Sequence, residues 1–199
     1  MSSSQATRQL WAAVQSNDLK EVQVAIANGA DLESRNAQGM TPLLACTKSG
    51  QTDAALELIR AGSDVNAKDH IKDSTYLYAG ARGMSEILEA SLQAGADIYS
   101  TNRYGGTALI PASERGLVDT VERLLDAGLE VNHVNKLNWT ALIEAIILGD
   151  GSERYVRTVQ LLLERGADPL LADGEGCTPQ ELAVSHGHTK LVEVLNRFL

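Results

Sequence analysis

The fold is decided by one seven-residue stretch, Gly39-Met40-Thr41-Pro42-Leu43-Leu44-Ala45. The Thr41 hydroxyl can cap a helix, and Pro42 then takes the first helical position, where a missing N–H costs nothing. Thr178 and Pro179 stand in the same relation near the end of the chain. The phrase recurs, in complete or degenerate form, at 74–77, 106–110, 139–143 and 176–180. The sequence therefore predicts that a short helix begins at each of these places.

Two series of glycines divide the chain into repeats of 33 residues, with one longer interval near the end. The first series is Gly29, Gly62, Gly95, Gly128 and Gly166. The second series follows each Thr-Pro phrase and is Gly50, Gly83, Gly116, Gly149 and Gly187. Glycine is favoured just after a helix, where the backbone turns left-handed. Paired apolar residues between the two series, such as Val121 with Leu124, predict a second amphipathic helix in each repeat.

In period, motif and order of elements the chain resembles the ankyrin repeat family over nearly its whole length. The resemblance implies an all-α solenoid of helix-turn-helix units with protruding hairpin loops. It implies a single domain, 1–199, with units at 5–35, 36–68, 69–101, 102–134, 135–172 and 173–199. The first and last units are expected to be caps. Asn102-Arg103-Tyr104-Gly105-Gly106 and the stretch 139–151 are most similar to small stand-alone bacterial ankyrin repeat proteins.

The fifth unit carries a five-residue insertion within 150–156. One interpretation is a lengthened helix with a wider turn, since loops tolerate insertion at little cost. The other is a partner-contacting bump with Arg154 and Tyr155 as its contacts. Both stay open at this point.

A second departure from the pattern lies in the first helices of three successive units. Counted from Thr107 as the cap, Pro111 is the fourth helical residue, where it does little damage. Tyr78 and Glu144 hold the equivalent positions one unit before and one unit after. These three residues predict either a patch that lines a groove or a locally adjusted core.

Composition limits the functional classes. The net charge of −9 argues against binding to the phosphate backbone of nucleic acids. No apolar run is long enough to span a membrane, and the N-terminus does not resemble a signal peptide. Two cysteines are too few for a secreted disulfide scaffold. These features predict a cytoplasmic protein.

No catalytic or metal-binding motif stands out. Cys46 is predicted to fill the core, and nothing basic flanks Cys177 to lower its pKa. His186 and His188 form a His-x-His pair, but the resemblance implies a capping role rather than a metal site. The pair Gly105-Gly106 is expected to form a tight turn with positive φ. We therefore expect neither a metal nor a cofactor, and an enzyme is the least favoured hypothesis.

In the ankyrin family, partners are held by the hairpin tips and the exposed face of the first helices. Carried over to this chain, the resemblance predicts a partner-binding set that is rich in basic and aromatic residues, although the protein is acidic and poor in aromatics. The set is Lys48, Lys68, His70, Tyr78, Arg82, Arg103, Tyr104, Glu114, Arg115, Lys136, Trp139 and Glu144.

The leading hypothesis is a non-catalytic adaptor or regulator, monomeric or weakly dimeric, that binds another protein or a peptide on its concave face. An alternative is a small-ligand sensor with a pocket near Tyr78, Tyr104, Trp139 and Glu144. For Trp139 a structural role also remains open, in which it packs against Tyr104 and joins two units.

Overall fold

The computed structural model describes residues 2–199, which form twelve α-helices. In chain order they are α1 (Ser3–Ser16), α2 (Leu19–Ala27), α3 (Pro42–Lys48), α4 (Thr52–Arg60), α5 (Thr75–Arg82), α6 (Ser85–Gln93), α7 (Leu109–Glu114), α8 (Val118–Asp126), α9 (Ala141–Ile147), α10 (Glu153–Glu164), α11 (Pro179–Ser185) and α12 (Thr189–Leu195). This described range contains no strand, so the predicted all-α class is confirmed. None of its helices has the length and apolar character needed to cross a membrane.

The predicted helix starts depend on side-chain caps. The Thr41 hydroxyl accepts the backbone N–H of Leu44 at 3.2 Å, and Pro42 is the first residue of α3. Thr178 forms a full capping box with Glu181, whose carboxylate accepts the backbone N–H of Thr178 at 2.8 Å. Each cap satisfies an N–H group that has no partner inside the helix. Both predicted caps are confirmed.

The prediction that Thr107 caps α7 is wrong. In a regular helix the carbonyl of the capping residue accepts the N–H four residues later. Four residues after Thr107 stands Pro111, which has no N–H, so the Thr107 carbonyl accepts Ile110 N–H at 3.2 Å instead. The Thr107 hydroxyl is buried without a hydrogen-bond partner, and α7 begins only at Leu109. Pro111 is then its third residue and removes no helical hydrogen bond.

The helices group into two compact units. The first contains the described chain up to Ala79 together with Met84–Asp97, and the second contains Gly80–Gly83 together with Ile98–Leu199. In the second unit the first helices α7, α9 and α11 contact one another in sequence, and so do the second helices α8, α10 and α12. In the first unit α1 packs on α3, and α2 and α6 both pack on α4. Within each unit these helices thus bury their apolar stripes against the helices of neighbouring repeats.

The core is aliphatic, as the scarcity of aromatic residues predicts. The largest fully buried side chains are leucines and isoleucines, with Tyr76 the single aromatic among them. Alanines such as Ala79 and Ala112 let the short first helices approach closely. At Gly80 an added Cβ would lie 2.9 Å from the Cβ of Ala108, so this glycine is required by close packing.

The insertion lengthens the second helix of its repeat. Helix α10 has 12 residues, against 9 in α8. Tyr155 is buried, and its hydroxyl donates to the Glu114 carbonyl at 2.9 Å. The interpretation of Tyr155 as a surface contact is therefore wrong, because its ring packs against Gly116 and Gly149 and is not available to a partner. Arg154 is exposed and lies over that ring, 4.9 Å from its centroid.

Candidate partner-binding pocket

The hairpin at 135–139 is held in shape by the side chain of Asn135. Its Oδ1 accepts the backbone N–H of Leu137 at 2.9 Å and that of Trp139 at 3.1 Å. Asn138 closes the turn with φ of 58°, a left-handed conformation that asparagine tolerates better than most residues. The hairpin therefore presents Leu137, which is exposed, and Trp139, which is half-buried.

Helix α9 begins directly after this hairpin and brings Glu144 close to it. The Thr140 hydroxyl caps α9 by accepting the N–H of Ile143 at 3.2 Å. The Asn135 amide then donates from Nδ2 to Oε1 of Glu144 at 2.9 Å. Asn135 therefore uses its oxygen to build the hairpin and its amide nitrogen to orient the carboxylate.

Around this carboxylate lies a pocket of about 170 Å³ within the second unit. Its walls are mainly apolar, and its side-chain polar groups include two carboxylates and two amides. The lining residues are Asn102, Tyr104, Gly106, Ile110, Pro111, Glu114, Asn135, Leu137, Trp139, Glu144 and Leu148. A concave apolar site with a few convergent polar groups is typical of a binding site.

The Glu144 carboxyl dominates the electrostatics of the pocket. The residue is only 6% exposed, and it forms no ion pair with any of the described side chains. Burial, and after it the charge of Glu114, raises the pKa of Glu144 to about 7, against the opposing effects of the Asn135 hydrogen bond and of Arg115. An ionised carboxylate is poorly compensated here and would be stabilised by an added cation.

Four of the predicted site residues meet at this pocket: Tyr104, Glu114, Trp139 and Glu144. Tyr104 is 51% exposed. Its ring and that of Trp139 line the same space without a ring–ring contact between them in the described structure. Pro111 also lines the pocket, which agrees with the groove interpretation of its position.

The predicted basic residues of the second unit lie outside the pocket lining. Arg103 lies over Tyr104, 4.9 Å from the ring centroid. Arg115 donates to the Ala81 carbonyl at 3.2 Å and lies 3.9 Å from a carboxylate oxygen of Glu114. Lys136 Nζ donates to the Arg103 carbonyl at 3.3 Å, and Arg82 is exposed. Of these basic residues, Arg115 is thus in contact with an acid of the pocket lining, Glu114.

In the first unit, Lys48 lies in a niche of its own. Its ammonium donates to Oδ2 of Asp69 at 2.8 Å, lies 2.8 Å from Oδ2 of Asp73, and stands 5.5 Å from the centroid of the Tyr78 ring. Burial alone lowers the pKa of Lys48, but the hydrogen bonds to Asp69 and Asp73 outweigh it and hold the pKa above its usual value. We name this cluster of Lys48, Asp69, Asp73 and Tyr78 the lysine niche.

The other two predicted residues of the first unit, Lys68 and His70, are exposed near the same hairpin. The Lys68 carbonyl accepts Arg35 Nη1 at 2.8 Å. The His70 backbone N–H donates to the Gln38 carbonyl at 3.1 Å, and its ring lies over Gly39, where any Cβ would collide with it. Both therefore join neighbouring hairpins through the backbone.

Sequence reasoning missed Asn135, although a signal was present. Each hairpin begins with an Asn or Asp whose Oδ1 accepts the N–H groups two and four residues later, and the series is Asn36, Asp69, Asn102, Asn135 and Asp173. The other terminal atom of that side chain is free of this role and can contribute to a site. Oδ2 of Asp69 accepts a hydrogen bond from Lys48, and Nδ2 of Asn135 donates one to Glu144. The recurrence at repeat spacing was the available clue.

The thiols and histidines have structural surroundings. Burial raises the pKa of the Cys46 thiol to about 12. Partial burial, and then the carboxylates of Asp173, Glu181 and Glu175, raise the pKa of Cys177. The His186 Nδ1 lies within hydrogen-bond distance, 2.8 Å, of the Leu182 carbonyl. Gly105 closes its hairpin with φ of 74°, as expected for a tight turn.

Comparison with known proteins gives a consistent result over nearly the whole chain. A family model described as ankyrin repeats (3 copies) matches residues 5–69 and 76–173. The ankyrin repeat protein YahD of Escherichia coli (strain K12) is 36% identical over 184 residues, which is 92% of each chain.

Two solved structures have closely similar folds. An ankyrin repeat domain from Acinetobacter baumannii AYE is 49% identical with a TM-score of 0.91, covering 95% of this chain and 96% of the other. The ankyrin repeat protein EF0377 is 36% identical with a TM-score of 0.93, covering 97% and 98% of the two chains. The predicted ankyrin repeat class is confirmed by these matches.

Proposed function

Because the chain belongs to the ankyrin repeat family, we propose that it is a non-catalytic adaptor or regulator that holds a partner protein on its hairpin tips and first helices. Ankyrin repeats are generally protein–protein interaction modules. Their stacked units display side chains that folding itself does not require. No step of a chemical reaction is assigned to the chain.

The observation that carries this proposal is the exposed apolar rim of the pocket in the second unit. Tyr104, Leu137 and Leu148 are each about half exposed, at 51%, 51% and 49%. Trp139 lies among them and is half-buried. Clustered aromatic and aliphatic groups of this kind lower solubility unless a partner covers them, and aromatic residues dominate binding hot spots. We propose a peptide segment with an apolar residue as the part of the partner that docks here.

The two cysteines bear on the cellular compartment. Cys46 and Cys177 are both unpaired, which fits a reducing environment. We propose that the protein acts in the cytoplasm.

The test is affinity capture from the native cell with Arg103→Glu plus Trp139→Ala against wild type. Arg103 places a positive charge beside Tyr104 at the rim, and Trp139 forms part of the pocket wall. We therefore expect the double variant to recover at least about tenfold less of the specific partners. The matched control is Arg157→Glu plus Tyr99→Ala, which likewise reverses one arginine charge and removes one aromatic ring, at exposed positions outside the lining of this pocket. Equal recovery by wild type and the double variant would show that this face is wrong.

A second candidate, a sensor of a small ligand, is favoured by the pocket of about 170 Å³ beside a buried acid. Of its predicted residues, Tyr104, Trp139 and Glu144 line the pocket, and Tyr78 belongs to the lysine niche of the first unit. A small ligand would bind without a peptide attached. Comparing the binding of free n-butylammonium with that of lysine peptides separates the two candidates.

A further inference from the structure

The lysine niche and the pocket are built from the same repeat positions. Each residue of the niche has a counterpart 66 residues later, which is two repeats of 33. The four pairs are Lys48 with Glu114, Asp69 with Asn135, Asp73 with Trp139, and Tyr78 with Glu144. In the niche these positions supply one ammonium, two carboxylates and one aromatic ring. In the pocket they supply two carboxylates, one amide and one aromatic ring, and no ammonium.

The niche shows what this arrangement of positions holds when it is filled. The Lys48 ammonium has two carboxylate partners at 2.8 Å and a ring face 5.5 Å away. Lys48 is the last residue of α3, and its aliphatic stem extends from there to the two carboxylates and the ring. Ion pairs and a cation–π contact are the interactions that suit an ammonium group.

The pocket has the anionic and aromatic parts of the niche without the cation. Glu114 stands where the niche has its lysine. Glu144 is only 6% exposed, and no cationic side chain is among the lining residues. Arg115, the nearest compensating charge, lies 3.9 Å from Glu114 and forms no ion pair with Glu144. A buried carboxylate without a cation is costly, so the site has a driving force to take one up.

We propose that this pocket binds the ammonium group of a lysine side chain presented by the partner protein, in the way that the first unit holds Lys48. The inference rests on the proposed function, because it assumes a protein partner on this face, and it narrows the partner to a segment with an accessible lysine. The lysine stem lies against Ile110, Leu137 and Trp139, and its ammonium reaches Glu144 and Glu114.

Lysine fits this pocket better than arginine. A guanidinium binds a carboxylate best through two parallel hydrogen bonds, which need both carboxylate oxygens. Oε1 of Glu144 already accepts the Asn135 amide at 2.9 Å. An ammonium is a compact charge for which Oε2 suffices while Oε1 holds the Asn135 amide, and it can contact Glu114 as well. A long aliphatic stem also matches the apolar wall between the rim and the acids.

The experiment uses the full chain and a library of hexapeptides that are acetylated at the N-terminus and amidated at the C-terminus. The third residue is lysine and the other five residues vary. Each member is also made with Nε-acetyl-lysine and with norleucine, which keep the stem and remove the charge. Binding is measured for wild type, Glu144→Gln, Trp139→Ala and the control Glu193→Gln, which removes one exposed carboxylate in α12.

We expect lysine peptides to bind wild type at least about tenfold more tightly than their uncharged versions, because one charge-assisted contact in a desolvated site has that value. Glu144→Gln should reduce this ratio to about one, and Glu193→Gln should leave it unchanged. Glu144→Gln removes a buried charge and keeps the bond from Asn135, so it is expected to fold.

Three outcomes would overturn the inference. Equal binding of the three peptide versions, weakened for all by Trp139→Ala, would reject lysine recognition and leave the proposed function standing. If free n-butylammonium binds as tightly as the best lysine peptide, the ligand is a small amine and not a partner protein. If no peptide binds and the capture experiment also shows equal recovery, both the inference and the proposed function are wrong.

Discussion

The lysine niche of the first unit and the pocket of the second unit occupy the same repeat register and differ in charge balance. In the niche the buried Asp69 is neutralised by Lys48, whose hydrogen bond offsets the effect of burial and holds the pKa of Asp69 below its usual value. In the pocket the buried Glu144 has no such partner, and burial raises its pKa to about 7.

This difference in charge balance shows how equivalent positions of a repeat protein can serve folding in one repeat and binding in another. The hairpins at 69–73 and 135–139 make the same bonds, and a hydroxyl caps the helix that follows each, so folding does not require the change. All four counterpart positions differ, and the loss of the lysine together with the arrival of Glu144 turns a satisfied ion cluster into an acidic pocket without a cation. Stability given up at one place in this way is a common sign of function.

The largest expected effect comes from Glu144→Gln. The unfolded chain loses the Glu144 proton near the ordinary pKa of 4.5, whereas the folded protein keeps it up to about pH 7. The stabilisation from this group is therefore fully present below pH 4.5, falls as the pH rises, and is lost above pH 7. We expect Glu144→Gln to raise the free energy of unfolding at pH 8 by about 3 kcal/mol and to change it little at pH 4.

Urea denaturation at pH values from 4 to 8 measures this effect, with Glu193→Gln as the control. The charged groups that act on Glu144 are Glu114, the last residue of α7, and Arg115, which follows it, and neither is altered in the two variants. From the other elements packed on α9, Tyr155 of α10 is bonded to a backbone carbonyl and Glu181 of α11 to Thr178. Parallel pH curves for wild type and Glu144→Gln would show that Glu144 is not the unbalanced group.

A smaller effect of opposite sign is expected for Lys48→Met. The substitution keeps the aliphatic stem and removes the ammonium, so the carboxylate of Asp69, 3% exposed at its side chain, loses its cation. We expect the free energy of unfolding at pH 7 to fall by about 2 kcal/mol, because a buried charge is left without its partner.

The matched control is Lys190→Met, which removes an exposed lysine 3.7 Å from Glu153. Exposed ion pairs contribute little, so this change is expected to stay within about 0.5 kcal/mol. A similar loss for both variants in urea denaturation would mean that the niche is no different from the surface.

The smallest expected effect is the most informative about the comparison. Glu114→Lys places a lysine at the repeat position that Lys48 holds in the first unit, where it can fill the pocket and pair with Glu144. We expect a gain in stability of about 1 kcal/mol at pH 7, together with loss of lysine-peptide binding because the site is occupied from within.

Glu114→Gln separates filling from simple loss of charge, since it removes the repulsion between Glu114 and Glu144 without supplying an ammonium. It should stabilise the protein less than Glu114→Lys and retain measurable peptide binding. If the two variants behave alike in both measurements, the repeat register is not a guide to what the pocket holds.

The repeat architecture could be predicted from local sequence because each of its determinants acts over a few residues. Thr41 with Pro42, and Thr178 with Pro179, specify helix starts through bonds that span one turn. Aliphatic pairs at helical spacing specify the buried stripe. The prediction of a cap at Thr107 is wrong because it treats Pro111 as harmless, although a helix capped at Thr107 needs an N–H donor at that position.

The contents of the site depended on contacts between residues in different repeats. The sequence by itself placed Tyr104, Glu114, Trp139 and Glu144 near hairpins and first helices. Only the tertiary structure decided that these four share one pocket, that the arginines lie outside its lining, and that Tyr155 is buried. Backbone periodicity follows from short-range bonding and patterning, whereas the pairing of side chains across repeats depends on packing, burial and charge compensation over distances that no local phrase encodes.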